Sequence, residues 1–432
     1  MSQLERPPLR HAFRALGVRN YRLFWCGHLT SQTGSWLQTT AQAWVVLSLT
    51  GSSFALGTVA AIQFTPILLL TLFGGVVADR LPKRRVLLTA QTIMLGQAVV
   101  MAALAATDSL QLVHLYLLAA VLGTANALDA PTRQSFVSEL VGPENLSNAV
   151  ALNSTLFNTA RLVGPSLAGV LIAWLGPAAC FGLNALSYLA MITMLSLIRL
   201  DHTQAPRRAD RGGSLLSQVG EGLRFVVSTP DAALVALLVA VLGLFGYNFQ
   251  TVLPLIARFV LDAGPIGFGV LTSALGVGSL ISALSVAYRS QATQRSLLGG
   301  AAAFSVLLLC LSLSRWWAVS IPLLIVIGIA NIVFSATANT RLQLVTPPQL
   351  RGRVMSIYAL LFMGTTPIGS LIIGTLAERQ GIQVALGETA TICCLGVVGA
   401  YLYAHRMRAH MTPGTPAPLL AVGERESRRA QA

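Results

Sequence analysis

One stretch of the sequence decides how this chain folds: Gly75-Val-Val-Ala-Asp-Arg-Leu-Pro-Lys-Arg-Arg85. Its charges are concentrated between two long apolar runs, residues 54–78 and 86–106. Each run is long enough to cross a bilayer, which requires about 20 mostly apolar residues in a helix. The stretch therefore predicts a short charged turn at one membrane surface, between two transmembrane helices.

The composition of the whole chain agrees with this prediction. Of its 432 residues, 54% are hydrophobic and 10% are charged, whereas about 25% of the residues in a soluble domain are charged. The apolar runs lack the polar face that a surface helix of a soluble protein would show. We expect an all-α membrane protein with twelve transmembrane helices, at 22–48, 54–78, 86–106, 113–137, 147–174, 178–199, 232–258, 266–288, 296–313, 317–341, 354–377 and 384–404.

The arginines predict the orientation of these helices. If the N-terminus is cytoplasmic, nearly all arginines fall in cytoplasmic segments, as the positive-inside rule requires. Both termini are then cytoplasmic, which fits an even number of crossings. The net charge of +14 serves orientation and contact with anionic lipid, so we expect the lipid bilayer as a partner and no nucleic acid.

The sequence offers no pattern typical of an enzyme or of a metal site. The five cysteines lie within apolar runs without metal-ligand spacing, which is typical of small buried side chains. No Gly-x-x-x-x-Gly-Lys loop for nucleotide phosphates occurs. We therefore expect no enzymatic activity, no metal and no cofactor.

A long polar segment divides the chain into two halves. We expect a cytoplasmic N-terminal segment, a first bundle of six helices, a cytoplasmic linker, a second bundle of six helices and a disordered cytoplasmic tail, at 1–21, 22–199, 200–230, 231–405 and 406–432. Within the linker, residues 215–227 are expected to form a helix on the membrane surface.

The two halves repeat each other. A small-residue motif near Gly169 recurs near Gly374, about half the chain later, and Pro131-Thr-Arg133 recurs as Asn339-Thr-Arg341. Parallel duplicated halves are typical of secondary transporters, in which two pseudo-symmetric bundles rock about a central site.

Three motifs carry a resemblance to the major facilitator superfamily. The charged turn resembles the signature of the loop between its second and third helices. The fifth apolar run resembles its antiporter motif, through Ala160, Gly164, Pro165, Ala168 and Gly169. The sequence of residues 19–25, 32–38 and 130–136 resembles that of the enterobactin-exporter-like branch, whose members export siderophores and drug-like molecules.

The resemblance implies a monomeric exporter of small organic molecules in the bacterial cytoplasmic (inner) membrane, driven by an ion gradient, with the proton as coupling ion. An importer of a small metabolite on the same fold is the nearest alternative. A non-transporting membrane sensor is a further alternative, although such a protein would usually carry an added soluble domain.

The charged turn is predicted to act as an inner gate, formed by Gly75, Asp79, Arg80, Lys83, Arg84 and Arg85. In the family, the acid at the position of Asp79 faces the N-terminal end of the eleventh helix, here near Arg351. Unpaired backbone N–H groups at a helix N-terminus attract an anion. The alternative is that Asp79 only ends its helix at the membrane surface.

Three charged residues elsewhere are candidates for coupling or gating. Asp129 and Arg133 have the spacing of an ion pair on one helix face, and Asp129 is either a proton carrier or a gate partner of Arg80 or Arg84. Arg161 lies near the middle of the fifth apolar run, where a charge is costly. It either holds an anionic substrate group or pairs structurally, for example with Asp129.

Polar residues on the first, fourth, seventh and tenth helices are predicted to line a substrate cavity. On the first helix, four of them form one stripe at helical spacing. Hydrogen bonding between packed helices is the alternative for each of them. The predicted cavity residues are Ser31, Ser35, Trp36, Gln38, Gln42, Asn126, Asn248, Asn331 and Asn339.

The small residues of the fifth helix are predicted to be packing positions. Ala160, Gly164 and Ala168 recur every four residues, which lets another helix approach closely. We expect this helix to seal the cavity against the eighth helix, which carries Gly276 and Gly278.

The gate hypothesis for Asp79 makes a testable prediction. We expect Asp79→Asn to reduce transport while leaving the amount of inserted protein near normal, because the neutral side chain no longer holds the helix terminus it faces. Transport assays, together with labelling of cysteines introduced at the cytoplasmic end, measure both effects. Normal transport by the variant would mean that the acid only marks the end of the helix.

Overall fold

The computed structural model describes the backbone of residues 9–199, 215–286 and 292–410, and the side-chain surroundings of residues 13–70, 81–199, 220–283 and 292–406. Every regular element in these ranges is helical, as expected. A 3-10 helix over Leu9–Gly17 is followed by α1 (Arg19–Thr50), α2 (Ser53–Arg80), α3 (Lys83–Ala106), α4 (Leu112–Leu175), α5 (Pro177–Leu197), α6 (Leu215–Ser228), α7 (Pro230–Phe245), α8 (Phe249–Phe259), α9 (Pro265–Val286), α10 (Gln294–Leu313), α11 (Trp317–Val345), α12 (Arg351–Met363), α13 (Thr366–Gln380) and α14 (Ile382–His410).

Ten helical segments of the described chain are long and apolar enough to cross a membrane. One of them, α4, has 64 residues and is broken at Gly142, whose φ of 68° lies in the left-handed region that glycine adopts most readily. Its two legs, residues 112–141 and 143–175, are each long enough to cross, and so is α1, with 32 residues. The twelve crossings stay a prediction, which these lengths support.

The helices form two groups that correspond to the predicted halves. In the N-terminal half, α1 packs on α5 and on α4, and α3 packs on the same two helices. In the C-terminal half, α11 packs on α9 and α10, and α14 packs on α7 and α10. The helix α6 lies where the sequence predicted a helix in the linker, and its Glu221 forms an ion pair with Arg353 of α12.

The two halves meet along two seams. In the α2–α13 seam, an added Cβ on Gly57 would lie 2.4 Å from the carbonyl oxygen of Ser370. In the α4–α9 seam, an added Cβ on Gly169 would lie 2.7 Å from the carbonyl oxygen of Pro265. Backbone contacts this close require residues without a side chain, so glycine sets the distance between the halves.

Among the described residues, the closest backbone contacts at glycines of the two seams lie toward the same end of the molecule. Gly57 lies just after the start of α2, and Gly169 lies shortly before the end of α4. We call this the turn end, because the short turns at Gly51, 107–111, Gly176, 260–264, 314–316 and Gly381 lie there. The opposite end, where the charged turn 81–82 and the break at Gly142 lie, is called the basic end.

The α4–α9 seam makes a testable prediction. We expect Gly169→Ala to lower the melting temperature in detergent, because the new methyl group meets backbone atoms of Pro265 and Ile266, the latter at 3.1 Å. Overpacking of this kind costs about 1–3 kcal/mol. The matched control is Gly182→Ala in α5, where no heavy atom lies within 4 Å of the added Cβ. Equal melting temperatures for both variants would contradict the close approach.

Candidate functional site

An arginine lies at mid-depth on the boundary between the halves. Arg161 is in the second leg of α4, and its guanidinium carbon is 5.8 Å from the ring centroid of Trp36, near the middle of α1. Phe157, one turn earlier, meets the same indole edge to face at 6.0 Å. Among the described residues, no carboxylate lies within 4 Å of Arg161. The suggested ion pair with Asp129 is therefore wrong.

An aromatic cluster of the C-terminal half faces this arginine. The chain leaves the helical conformation between α7 and α8, and Tyr247 lies in this break. Its ring contacts those of Phe304 and Phe362, at centroid distances of 5.0 and 4.8 Å. Tyr247 is also close enough to Arg161 for the two side chains to interact electrostatically. A cation of the N-terminal half and a tyrosine of the C-terminal half are thus within electrostatic range of each other. We call these two residues and the rings that contact them the central site (Trp36, Phe157, Arg161, Tyr247 and Phe362).

Several polar groups of the central site lack a protein partner in the described part of the chain. The indole N–H of Trp36 and the hydroxyl of Tyr247 are buried without a hydrogen bond. Buried polar groups are nearly always hydrogen-bonded to protein or water. Together with the guanidinium of Arg161, these groups form a set dominated by donors, which suits a bound molecule rich in oxygen acceptors.

The other predicted residues of α1 face their own half. Gln38, only 1% exposed, donates to Gln97 at 2.9 Å and accepts from Asn184 at 2.8 Å. Ser35 shares a hydrogen bond of 3.1 Å with Tyr188. These bonds correspond to the second interpretation of the stripe, hydrogen bonding between packed helices, and Gln38 does not line a cavity.

The remaining two residues of the stripe are bonded similarly. Ser31 donates to Gln91 and Gln42 donates to Gln63, each over 3.5 Å and each within the N-terminal half. Of the predicted α1 residues, Trp36 is the one that contributes to the central site. Helical spacing placed the four polar residues on one face correctly, but it did not reveal which neighbour that face would meet.

The four predicted asparagines have different surroundings. Asn126 donates to the carbonyl oxygen of Leu122 in its own helix at 3.0 Å. Asn331 is buried, and Asn339 accepts from Gln343 at 2.6 Å. Asn248, next to Tyr247, is different because its side-chain oxygen is buried without a partner. Its side chain lies against Gly369 of α13, within the C-terminal half.

Asp129 is held in a buried ion pair near the basic end. Its carboxylate accepts from the Nε of Arg133 at 2.8 Å and from Gln91 at 2.9 Å. The exposed fractions of the Asp129 and Arg133 side chains are 5% and 13%. The C-terminal half contains a counterpart, because Arg341 bonds Asp231 at 2.9 Å, and Arg133 and Arg341 are the positions at which the sequence repeats.

The charged turn is described in part. Gly75, Asp79 and Arg80 belong to the last turns of α2, but their side chains lie outside the described surroundings, so the proposed latch stays a prediction. Arg84 donates to the carbonyl oxygens of Leu195 and Ser196 at 2.8 and 2.7 Å.

Arg84 is thus bound at the C-terminal end of α5, where a cation is favoured, and it is not the gate partner of Asp129. Lys83 forms an ion pair with Glu139 of α4, a pairing that no sequence motif indicated. Arg85 is exposed. Along with the bonds of Arg84, these contacts tie the turn to its own half.

The small residues of the fifth predicted helix serve two different contacts. An added Cβ on Gly164 would lie 2.6 Å from the Cβ of Trp36, so Gly164 faces α1 and brings the indole next to Arg161. Gly169 faces α9, as does Leu162, which lies against Gly276. The fifth predicted helix thus contacts the eighth through Gly169 and Leu162 and not through Gly164, because about 140° of helical rotation separates Gly164 from Gly169.

The two glycines named for the eighth predicted helix also differ. Gly276 is at the seam, where an added Cβ would lie 3.2 Å from the Cα of Leu162. Gly278 instead meets the backbone of Ile325 in α11, within the C-terminal half. Ala160 and Ala168 are fully buried, and Pro165 is buried.

A separate cleft of about 800 Å³ opens on the C-terminal half near the turn end. It is lined by apolar residues of α10, α13 and α14, with Arg315 and Glu388 among its polar residues. None of the residues of the central site lines it. The cleft is therefore a different feature of the molecule.

Comparison with known proteins identifies the family. A family model described as transmembrane secretion effector, MFS_3, matches residues 11–422. The chain is 27% identical over 388 residues to the multidrug efflux pump Tap of Mycolicibacterium fortuitum, a match that covers 87% of this chain and 93% of that protein. It is 26% identical over 346 residues to the enterobactin exporter EntS of Escherichia coli O1:K1 / APEC, covering 79% of this chain and 81% of that protein.

Solved structures show the same fold. A bacterial homologue of the human lysosomal transporter Spinster, in an inward-facing and unoccupied conformation, superposes with a TM-score of 0.71 at 13% identity, covering 95% of this chain and all of that one. A peptide transporter of the POT family superposes with a TM-score of 0.72 at 11% identity, covering 90% of this chain and 94% of that chain. The chain belongs to the transmembrane secretion effector family of the major facilitator superfamily, and it is a membrane transporter rather than an enzyme.

Proposed function

We propose that this transporter exports small amphipathic organic molecules that carry an oxygen-rich anionic group, by alternating access driven by a proton gradient. The observation that carries the proposal is Arg161, a cation at mid-depth between the halves without a carboxylate partner among the described residues. An arginine at the centre of a membrane helix costs about 2.5–3.5 kcal/mol on an insertion scale. A charged side chain that is this costly inside the membrane usually has a functional partner, and for Arg161 that partner is an anionic group of the substrate.

The surroundings of Arg161 define the chemistry of that substrate. The guanidinium offers several N–H donors in a planar fork that suits a carboxylate or a similar anion. Trp36 and Tyr247 add two further donors without partners, and their rings present aromatic faces. A molecule with an anionic, oxygen-rich part and an aromatic or apolar part would satisfy both features, whereas a simple sugar or an inorganic ion would use only one of them.

The relatives support export as the direction of transport. Their names describe a multidrug efflux pump and an enterobactin exporter, and a protein of Staphylococcus aureus that is 23% identical, over 83% of this chain and 90% of its own length, is a staphyloferrin A transporter. Drug-like and siderophore-like molecules fit the chemistry of the central site. Uptake of a small metabolite on the same fold is the alternative that the experiment below separates.

The arrangement of the halves supports an inward-open state. The closest described backbone contacts across the two seams lie toward the turn end, and the positive-inside rule assigns the basic end to the cytoplasm. We infer that both termini are cytoplasmic, that the protein is a monomer in the bacterial inner membrane, and that the central site opens toward the cytoplasm. In the opposite state, Asp79 and its motif would close the basic end.

The direction of transport is tested in a host that lacks its own efflux pumps. Cells that produce the protein should accumulate less of an aromatic carboxylate or of a catechol-containing siderophore than cells without it. A proton uncoupler should abolish the difference. Higher accumulation in the producing cells would indicate import and would contradict the proposal.

Arg161 gives the sharpest test of the substrate class. We expect Arg161→Gln to reduce transport of an anionic substrate by about tenfold or more, because a hydrogen bond to a charged group contributes about 1.5–3 kcal/mol. Transport of a neutral or cationic compound should change little. Initial rates in inside-out vesicles, measured for one anionic and one cationic substrate, provide the comparison.

The matched control is Arg258→Gln. Arg258 also lies over an indole, at 5.9 Å from the ring centroid of Trp44, but at the turn end, away from the central site. The Arg258→Gln substitution should therefore have the same effect on transport of the anionic and of the cationic substrate. If Arg161→Gln slows both substrates equally, or neither, Arg161 does not select anions.

Asp129 allows a test of coupling. The ion pair with Arg133 favours a structural role, so Asp129→Asn should strand a buried arginine and destabilise the protein by about 3–5 kcal/mol. The double variant with Arg133→Gln should recover much of the loss. Asp231→Asn is the matched control in the other half, and it should cost less because the Asp231 side chain is 39% exposed.

The other role of Asp129 has a different outcome. If Asp129 carries the proton, Asp129→Asn should keep its melting temperature and its downhill exchange of substrate but lose uphill export. Melting in detergent, measured beside uphill and downhill transport in vesicles, separates the two roles.

A further inference from the structure

A carboxylate of one half caps a helix of the other half at the turn end. Glu378, near the end of α13, accepts hydrogen bonds from the backbone N–H groups of Ser53 and Phe54 at 2.7 and 3.2 Å. It also accepts from the side-chain hydroxyl of Ser52 at 3.1 Å. Ser53 and Phe54 are the first two residues of α2. All three bonds therefore cross the boundary between the halves.

The bonds satisfy groups that a helix cannot satisfy by itself. The first N–H groups of an α-helix have no carbonyl partner within the helix. Ser52 satisfies one of them from within its own segment, because its hydroxyl accepts from the N–H of Ala55 at 3.1 Å. Glu378 satisfies two more, and its negative charge lies at the positive end of the α2 dipole.

The α2–α13 seam brings this carboxylate into place. Gly57 and Gly374 face each other where the two helices cross, and an added Cβ on Gly374 would lie 2.9 Å from the carbonyl oxygen of Ser53. Glu378 is one helical turn beyond Gly374 and therefore reaches the α2 terminus only while the seam is closed. Separation of the halves at this end would break all three bonds together.

We propose that Glu378 is a positioning residue of the transport cycle, whose carboxylate holds the turn end closed by capping α2 and releases it when the halves separate. The inference rests on the alternating access proposed above but does not depend on the substrate. It assigns a gate to the end opposite the charged turn. A carboxylate and a helix N-terminus would then close each end of the molecule, with Asp79 and the start of α12 at the basic end, and Glu378 and the start of α2 at the turn end.

The exposure of Glu378 suits a reversible contact. The residue is exposed, and a small cavity of about 300 Å³ lies beside it, lined also by Gly51, Phe259 and Ile382. Water can therefore replace the helix N–H groups as partners when the bonds break, and exposed charge interactions are weak for this reason. A deeply buried pair at this place would hold one state too firmly for a cycle.

The test measures the distance between the halves at the turn end without any substrate. Spin labels are attached to Asp108→Cys and Trp316→Cys, which replace exposed residues of different halves, in a background without the native cysteines. Double electron–electron resonance in nanodiscs then measures the distance between the two labels, and from it the populations of closed and open molecules. In Glu378→Gln and Glu378→Ala we expect the ratio of open to closed molecules to rise about twofold to fivefold, as the loss of an exposed charged contact would give.

Glu388→Gln is the matched control. Glu388 is an acid at the same end, but its described bond, from Gln380 at 2.7 Å, stays within the C-terminal half. It should leave the distances unchanged. Gly57→Ala provides an independent variant, because its methyl group pushes against Ser370 and should open the same end without changing a charge.

The outcomes separate a gate from a structural cap. Unchanged distances in Glu378→Ala would overturn the proposal, as would an equal shift in Glu388→Gln. A lower melting temperature with unchanged distances would also overturn it, since Glu378 would then only stabilise α2. If Glu378→Ala yields too little folded protein, Glu378→Gln and Gly57→Ala carry the test. Failure of the anionic-substrate proposal would leave these distances unaffected.

Discussion

Backbone contact between the two halves at the turn end is the constraint on which the rest of the structure depends. Lipid tails are as apolar as leucine side chains, so burial from water does not drive two membrane helices together. Close packing and hydrogen bonds must do so. Gly57 and Gly374 in one seam, and Gly169 and Gly269 in the other, remove the side chains that would keep the backbones apart. The described contacts at these glycines lie toward the turn end, so the backbones of the two halves touch there.

The polar side chains fall into two groups with different relations to this contact. Within the N-terminal half, Gln38 donates to Gln97 and accepts from Asn184, and the Asp129 carboxylate accepts from Gln91 and Arg133. Such bonds link helices that move together. Each half can therefore behave as a rigid body, which is what rocking about a central site requires.

The second group lies where the halves face each other, and its members lack partners of their own. The indole N–H of Trp36 and the hydroxyl of Tyr247 are buried without hydrogen bonds. A membrane protein tolerates such groups where water or a ligand reaches them. Trp36 and Tyr247 come from different halves, so these two unpartnered groups, together with the Arg161 guanidinium, locate the central site more clearly than any single residue does.

The sequence by itself determined the membrane class, the helices, the duplicated halves and the family, because these follow from long apolar runs, a repeat and a short charged motif. Arg161 and Trp36 were also recognisable from the sequence, as a costly charge and as a possible cavity residue. The tertiary structure decided what each polar face meets. The polar residues of α1 contact helices of their own half, and Arg84 binds the C-terminal end of α5. Gly164 and Gly169 contact different helices, and Glu378 contacts the start of α2, more than 300 residues away in the sequence. Spacing along a helix fixes which residues share a face, but the rotation and neighbours of that helix depend on packing between distant segments.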